Sequence, residues 1–113
     1  MDSSVPFVGT DGGVQRLKLK WIDRFPNFWP LLTANPGISI IPLNNVTGFQ
    51  LRVLAQWMEM EEYCELTDSP LWEFLESEEN RKALEYMAYV FGNFALYRTV
   101  RVRKQLNDIL RIM

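Results

Sequence analysis

The longest regular pattern in this 113-residue chain is a row of apolar side chains that keeps helical phase from residue 84 to residue 113. At about 100° per residue, the row stays within about 40° of one line along a helix. Ser77 is a suitable N-cap ahead of it, so we predict a helix over 78–112. Unbroken, this helix would be about 50 Å long, against roughly 30 Å for the width of a small domain. It must protrude or break, and we expect helix throughout with a kink at residues 98–102, which also alternate like a strand. The row consists of Leu84, Ala88, Phe91, Ala95, Val102, Ile109 and Met113.

Two shorter helices are predicted before the long one. Thr47 and Gln50 have the spacing of a capping box, and Val46 with Leu51 can form the hydrophobic staple across it, which indicates a helix at about 47–66. A Ser-Pro pair at 69–70 is typical of an N-cap and first helical position, and indicates a helix at about 70–76. The expected core residues of the three helices are Phe49, Val53, Trp57, Met60, Leu71, Phe74, Leu84, Phe91 and Ala95.

The N-terminal third has strand signals instead. Apolar Leu17, Leu19 and Trp21 alternate with lysines, which is typical of a half-buried strand. Residues 38–43 form a second candidate, with a proline that favours an edge, and the two strands could pair antiparallel. Residues 1–13 are small and polar, so we expect a flexible tail. The predicted fold is α+β and mainly α: one small domain over 14–113, in which a two-stranded β element packs on about three helices, the last one long.

Missing residue types exclude most enzyme designs. The chain has no His and one Cys, Cys64, so it can form no histidine-based triad, no histidine metal ligand and no internal disulfide. Glu61 and Glu65 could share a divalent cation, but surface acids are far more common than metal sites. We therefore expect no catalytic residue, no cofactor and no metal site. The N-terminus lacks signal-peptide character, and we expect a protein that is not secreted, has no membrane partner, and is cytoplasmic or part of a larger particle.

Charge is strongly segregated although the net charge is only −2. Residues 59–85 contain ten acids and two bases, whereas residues 98–113 contain five bases and one acid. One interpretation is that acids at helix starts and bases at a helix end follow the helix dipole. The other is that the acidic and basic faces bind different partners, or each other between copies.

Two groups of residues are candidates for partner binding. The first lies opposite the Leu84 row on the predicted long helix, where tyrosines offer an apolar body with a polar tip; the alternative is that the core covers this face. The second is a basic segment that could contact a protein or phosphates, although an isoelectric point near 5.1 disfavours a dedicated nucleic-acid binder. The candidates are Tyr86, Tyr89, Asn93 and Tyr97 in the first group, and Arg98, Arg101, Arg103 and Lys104 in the second.

These patterns favour a non-enzymatic protein: a small interaction or structural subunit of a larger assembly, for example a virion or phage particle. Its partner would be another protein or copies of itself. The alternative function is a regulatory adaptor or inhibitor that acts on a nucleic-acid-processing machine through its charged faces. Salt sensitivity separates the two, because charge-led binding weakens as salt rises more than a packed interface does.

Overall fold

The computed structural model describes residues 3–34, 36–37, 39–64 and 69–112, and within them the fold is mainly helical with a small sheet. The predicted α+β, mainly α class is confirmed. Two strands and a short helix come first, followed by a 3₁₀ turn, a second short helix, a third strand and four longer helices. The elements are β1 (Ser4–Val8), β2 (Val14–Lys18), α1 (Leu19–Ile22), the 3₁₀ turn (Pro26–Phe28), α2 (Trp29–Ala34), β3 (Ile41–Pro42), α3 (Gly48–Tyr63), α4 (Ser69–Glu76), α5 (Glu78–Phe91) and α6 (Phe94–Ile112).

The sheet is built around β1, which the sequence places in a flexible tail. β1 pairs antiparallel with β2 on one side and parallel with β3 on the other. Phe7 faces Gln15 and Ile41 in these registers and is completely buried. The expectation of a flexible tail is therefore wrong for residues 4–8, because both edges of this segment hydrogen-bond and its central aromatic ring enters the core. The two predicted strands do not pair with each other; each pairs with β1.

The first predicted strand also ends earlier than its alternation indicates. The chain turns into α1 at Leu19, and Trp21 and Ile22 are consecutive buried residues there. A strand would point these two side chains to opposite faces, whereas one helical turn brings both to the core. Ile38, the predicted start of the second strand, lies outside the described residues.

The predicted long helix is in fact two helices. α5 ends at Phe91, and Gly92 follows in the left-handed region with φ +85°, its N–H donating to the Ala88 carbonyl at 3.1 Å. Asn93 then accepts a hydrogen bond from the Leu96 N–H at Oδ1, at 3.1 Å, and so caps α6. Glycine adopts this conformation without a Cβ penalty, and asparagine is a preferred N-cap. The break thus lies at residues 92–93 and not at the expected residues 98–102.

The break changes which face of α6 is buried. Leu84 and Phe91 remain in the core, as predicted, but Ala95 is exposed and Leu96 and Val100 are buried in its place. The two non-helical residues reset the helical phase, so the row that is continuous in sequence is not continuous in space. The other predicted core residues behave as expected or nearly so: Val53, Trp57 and Leu71 are buried, and Phe49, Met60 and Phe74 are half-buried against the core.

The turn between β1 and β2 is anchored to the start of α3. The predicted capping box of Thr47 and Gln50 is present. The Thr47 N–H donates to Gln50 Oε1 at 2.9 Å, and the Gln50 N–H donates to Thr47 Oγ1 at 3.2 Å. Asp11 in the turn accepts hydrogen bonds from the N–H groups of Gly13 and Gly48, at 3.0 and 2.9 Å. These two hydrogen bonds lower the pKa of the Asp11 carboxyl below its ordinary value, and the bond from Gly13 has the larger effect.

We expect Asp11 to make the stability of the fold dependent on acid pH. A carboxyl whose pKa is lowered by folding stabilises the native state above its unfolded value of 3.8, and this contribution is lost as the pH falls through the lowered value. The variant Asp11→Asn should therefore be less stable than wild type at pH 7, and the difference should shrink below about pH 4. Urea-unfolding midpoints measured from pH 7 to pH 2 check this.

The matched control is Asp23→Asn, since no hydrogen bond to the Asp23 carboxylate is found among the described residues. Equal pH profiles for wild type and Asp11→Asn would contradict the role given to Asp11.

Candidate protein-interaction surfaces

Three of the predicted partner-binding tyrosines lie around one surface groove between α5 and α6. Tyr89 and Tyr97 pack with their ring centroids 5.6 Å apart, and Tyr86 lies one helical turn before Tyr89. The core covers this face only in part, since 62% of Tyr89 is exposed whereas Tyr97 is half-buried against the core. We call this surface, with a volume of about 420 Å³, the tyrosine groove. It is lined by Lys82, Glu85, Tyr86, Tyr89, Tyr97 and Lys104.

The polar tips of two of these tyrosines are held by neighbours. The Tyr86 hydroxyl donates to the Asn45 carbonyl at 2.6 Å. The Tyr97 hydroxyl accepts from Arg101 Nη1 at 3.2 Å, and the same nitrogen lies 3.1 Å from Glu85. The Tyr97 contact, followed by the Glu85 charge, raises the pKa of Arg101. The hydroxyls of Tyr86 and Tyr97 therefore have partners, and Tyr97 packs partly against the core, so that Tyr89 presents the most exposed ring of the three.

The remaining three candidates lie elsewhere. Asn93 is buried and its side chain caps α6, so it does not lie at the surface where a partner would bind. Arg103 lies with its guanidinium carbon 4.0 Å from the Trp72 ring centroid and donates to Glu76 at 3.3 Å. Arg98 and Arg103 line a different cavity. The structure thus brings together Tyr86, Tyr89, Tyr97, Arg101 and Lys104, and separates them from Asn93, Arg98 and Arg103.

That second cavity is an apolar cleft between α4 and α6, which the sequence does not reveal. Its volume is about 300 Å³, and we call it the tryptophan cleft. Trp57 is completely buried beneath it, and Trp72 is half-buried at its side. A cleft of this kind depends on the packing angle of two helices, which no local pattern encodes. The lining residues are Trp57, Leu71, Trp72, Leu75, Arg98, Thr99, Val102 and Arg103.

A third feature continues from the cleft along α6. Val102, Leu106, Ile109 and Leu110 are each between 41% and 64% exposed, and we call them the apolar row. From residue 104 onward, no α6 side chain in the described part of the chain is buried. The molecule measures 53 Å along its longest axis but 28 and 21 Å along the others. The C-terminal half of α6 therefore extends beyond the core with an apolar face in solvent.

Several acids of the central cluster have intramolecular partners. Glu62 lies 3.0 Å from Lys20 and accepts from Trp21 Nε1 at 2.8 Å, and Glu61 pairs with Arg24 at 2.5 Å. These contacts tie the end of α3 to α1 and to the residues after it. Glu65, the second member of the predicted cation-sharing pair, lies outside the described residues. Within the described ranges, no group of three or more Cys, Asp or Glu side chains could hold a metal ion.

Comparison with known proteins adds no assignment. No protein-family model matches the chain, and no curated protein matches it in sequence. None of the helices in the described part of the chain is both long enough and apolar enough to cross a membrane. The features of the described residues that bear on function are therefore the tyrosine groove, the tryptophan cleft and the apolar row.

Proposed function

We propose that this chain is a non-enzymatic interaction or structural subunit of a larger assembly, and that its tyrosine groove binds an acidic segment of a partner protein. The observation that carries the proposal is the Tyr89–Tyr97 pair, in which Tyr89 is 62% exposed while Tyr97 is half-buried against the core and is held by Arg101. Three properties of the groove support the proposal: the packing of its tyrosine rings, the contacts of Arg101 that already hold Tyr97 in place, and the local charge.

Tyrosine and arginine are among the residue types that are enriched in protein interfaces. A tyrosine covers a large area with only two side-chain torsions, so ordering it costs little entropy. In this groove Arg101 bridges Tyr97 and Glu85, so part of that ordering has occurred before any partner binds. A preorganised aromatic surface of this kind binds more tightly than a mobile one of equal area.

Charge selects the kind of partner. Lys82, Arg101 and Lys104 lie in or beside the groove with one acid, Glu85. Lys82 pairs with Glu78 at 3.1 Å, whereas Lys104 has no ion pair within the described residues. With Glu78 counted beside Glu85, the three bases exceed the nearby acids by one charge, which Lys104 supplies, and an acidic segment with one or two apolar side chains fits this excess.

The contacts favour a protein partner over nucleic acid. A phosphate backbone needs several unpaired bases on one surface, but of the bases at the groove only Lys104 has no ion pair within the described residues. Arg101 lies at the groove, Arg103 stacks on Trp72, and Arg98 borders the cleft. Arg101 and Arg103 are also paired with Glu85 and Glu76.

The double variant Tyr89→Ala/Tyr97→Ala tests the proposal. We expect it to weaken partner binding by about 30-fold or more, which is the loss of one interface hot spot. Tyr89 is mostly exposed, but Tyr97 is half-buried against the core, so the double variant should lose some stability and its binding is compared at a temperature at which it remains folded. The immobilised wild-type protein recovers the partner from extract of the source cells, and the affinity of that partner is then measured for each variant.

The matched control is Tyr63→Ala, which removes a 78% exposed tyrosine at the end of α3. Equal loss of binding in the control, or unchanged binding in the double variant, contradicts the assignment of the groove. Binding of an oligonucleotide that falls steeply with salt, in place of a protein, would favour the nucleic-acid alternative.

A further inference from the structure

The tryptophan cleft is a concave apolar site that the proposed function does not use. Trp57, Leu71 and Leu75 line it and are each at most 3% exposed, and Val102 lines it from α6. Its volume of about 300 Å³ is at the lower end of the range for small-molecule sites. The cleft therefore has the size and the lining of a site for a small apolar molecule.

The charged residues that line the cleft are all basic. They are Arg98 and Arg103, and the lining includes no acid. Arg103 pairs with Glu76 at 3.3 Å, so its charge is balanced. Arg98 is exposed and has no ion pair among the described residues, and the single acid of α6, Asp108, lies more than two helical turns away. The cleft therefore has one excess positive charge, which Arg98 supplies.

A second donor at the cleft is unsatisfied. The Nε atom of Arg103 is buried and has no hydrogen-bond acceptor within the described part of the chain, although the guanidinium stacks on Trp72 with its carbon 4.0 Å from the ring centroid. Most buried donors in native proteins are paired, so this one indicates an acceptor that the chain itself does not supply. An oxygen atom of a bound ligand is such an acceptor, whereas a purely apolar ligand has none.

We propose that the tryptophan cleft binds a small apolar carboxylate, with its chain against Trp57 and Leu71 and its carboxylate at Arg98. The guanidinium group matches a carboxylate in shape and charge. One unpaired arginine balances the single charge of a carboxylate, whereas a phosphate monoester carries about two charges near neutral pH. At roughly 30 Å³ for each water-sized group, the cleft has room for about ten non-hydrogen atoms, as in octanoate.

Octanoate is the probe, and the indole N–H signals of the tryptophans in nuclear magnetic resonance spectra are the readout. Single tryptophan-to-phenylalanine variants assign these signals. Octanoate should shift the signals of Trp57 and Trp72, and should leave those of Trp21 and Trp29, which do not line the cleft, unchanged. We expect a dissociation constant of about 1 mM or lower. Octanol should bind at least about 10-fold more weakly, because it cannot make the charged hydrogen bond to Arg98.

Two substitutions of exposed residues test the two halves of the site. Arg98→Gln should weaken octanoate binding about 10-fold and leave octanol binding unchanged; its control is Arg52→Gln, which removes an exposed arginine of α3 away from the cleft. Val102→Asp should abolish octanoate binding, because it places a second carboxylate in the cleft. Its control is Ile109→Asp, the same kind of change on the same helix beyond the cleft. Circular dichroism checks that each variant keeps its helices.

Three results overturn the proposal. The first is no shift of the Trp57 and Trp72 signals at octanoate concentrations up to about 10 mM. The second is equal affinity for octanol and octanoate, or equal loss in a variant and its control. The third is tighter binding of N-acetylleucine than of octanoate, which would assign the cleft to the C-terminus of a peptide. Tyr89→Ala/Tyr97→Ala should leave octanoate binding unchanged, so this proposal and the proposed function can fail separately.

Discussion

Replacement of Phe28 by alanine is expected to lower the free energy of unfolding by about 3–5 kcal/mol, the usual loss for a fully buried phenylalanine. Phe28 is completely buried and stacks on Phe91, with ring centroids 3.8 Å apart and an angle of 4° between the planes. Its ring centroid also lies 5.2 Å from that of Phe7 and 6.1 Å from that of Phe25. One side chain thus joins the sheet, the 3₁₀ turn and α5, and its removal leaves a cavity at their junction.

Thermal and urea unfolding measure this effect, and the melting temperature should fall by roughly 10–25 °C. Phe28→Leu keeps most of the volume and should cost only about 1–2 kcal/mol, which remains measurable if the alanine variant does not fold. The adjacent Trp29 is 43% exposed, so Trp29→Ala should cost less than about 1 kcal/mol. Similar losses for Phe28→Ala and Trp29→Ala would show that the aromatic junction is not central to stability.

Gly9→Ala is expected to have the second largest effect, about 1–3 kcal/mol, through a clash of backbone with a new methyl group. A Cβ at Gly9 would lie 2.5 Å from the carbonyl carbon of Thr47 and within overlap of the Gly48 nitrogen. Neither atom can move without shifting the start of α3. The β1–β2 turn should therefore separate from α3, which breaks the bond from the Thr10 N–H to the Val46 carbonyl at 2.8 Å.

Hydrogen exchange at the Thr10 amide measures this separation alongside the unfolding free energy. Gly12→Ala is the control, because nothing lies within 4 Å of its Cβ and only the positive φ of +83° opposes it. The control should lose about 1–2 kcal/mol to backbone strain while the Thr10 amide stays protected. Protection of that amide in Gly9→Ala as well would rule out the clash as the cause.

The main helices follow from local rules, and the sequence by itself determined them. The capping box of Thr47 and Gln50 and the N-cap Ser77 are present as predicted, because a cap bonds to backbone three residues away and needs no distant partner. The buried face of α5 also follows, since helical periodicity is a property of neighbouring residues. On α3 the prediction was only partly right, because the buried Leu51, Leu54 and Met58 lie outside the predicted core set. Gly92 and Asn93 are a local signal for the break between α5 and α6. The apolar residues from Leu84 to Met113 nevertheless keep helical phase in the sequence, and this periodicity favoured one continuous helix.

Only the tertiary structure decided the position of β1, the role of Phe28 and the division of the candidate site. β1 becomes the central strand because β2 and β3 supply hydrogen-bond partners from distant parts of the chain. Arg101 and Arg103 are two residues apart, yet one lies at the tyrosine groove and the other on Trp72. At about 100° per residue, two side chains that are two residues apart on a helix point in directions about 160° apart. Which of those directions meets α4 or α5 is set by the packing of the helices after Gly92.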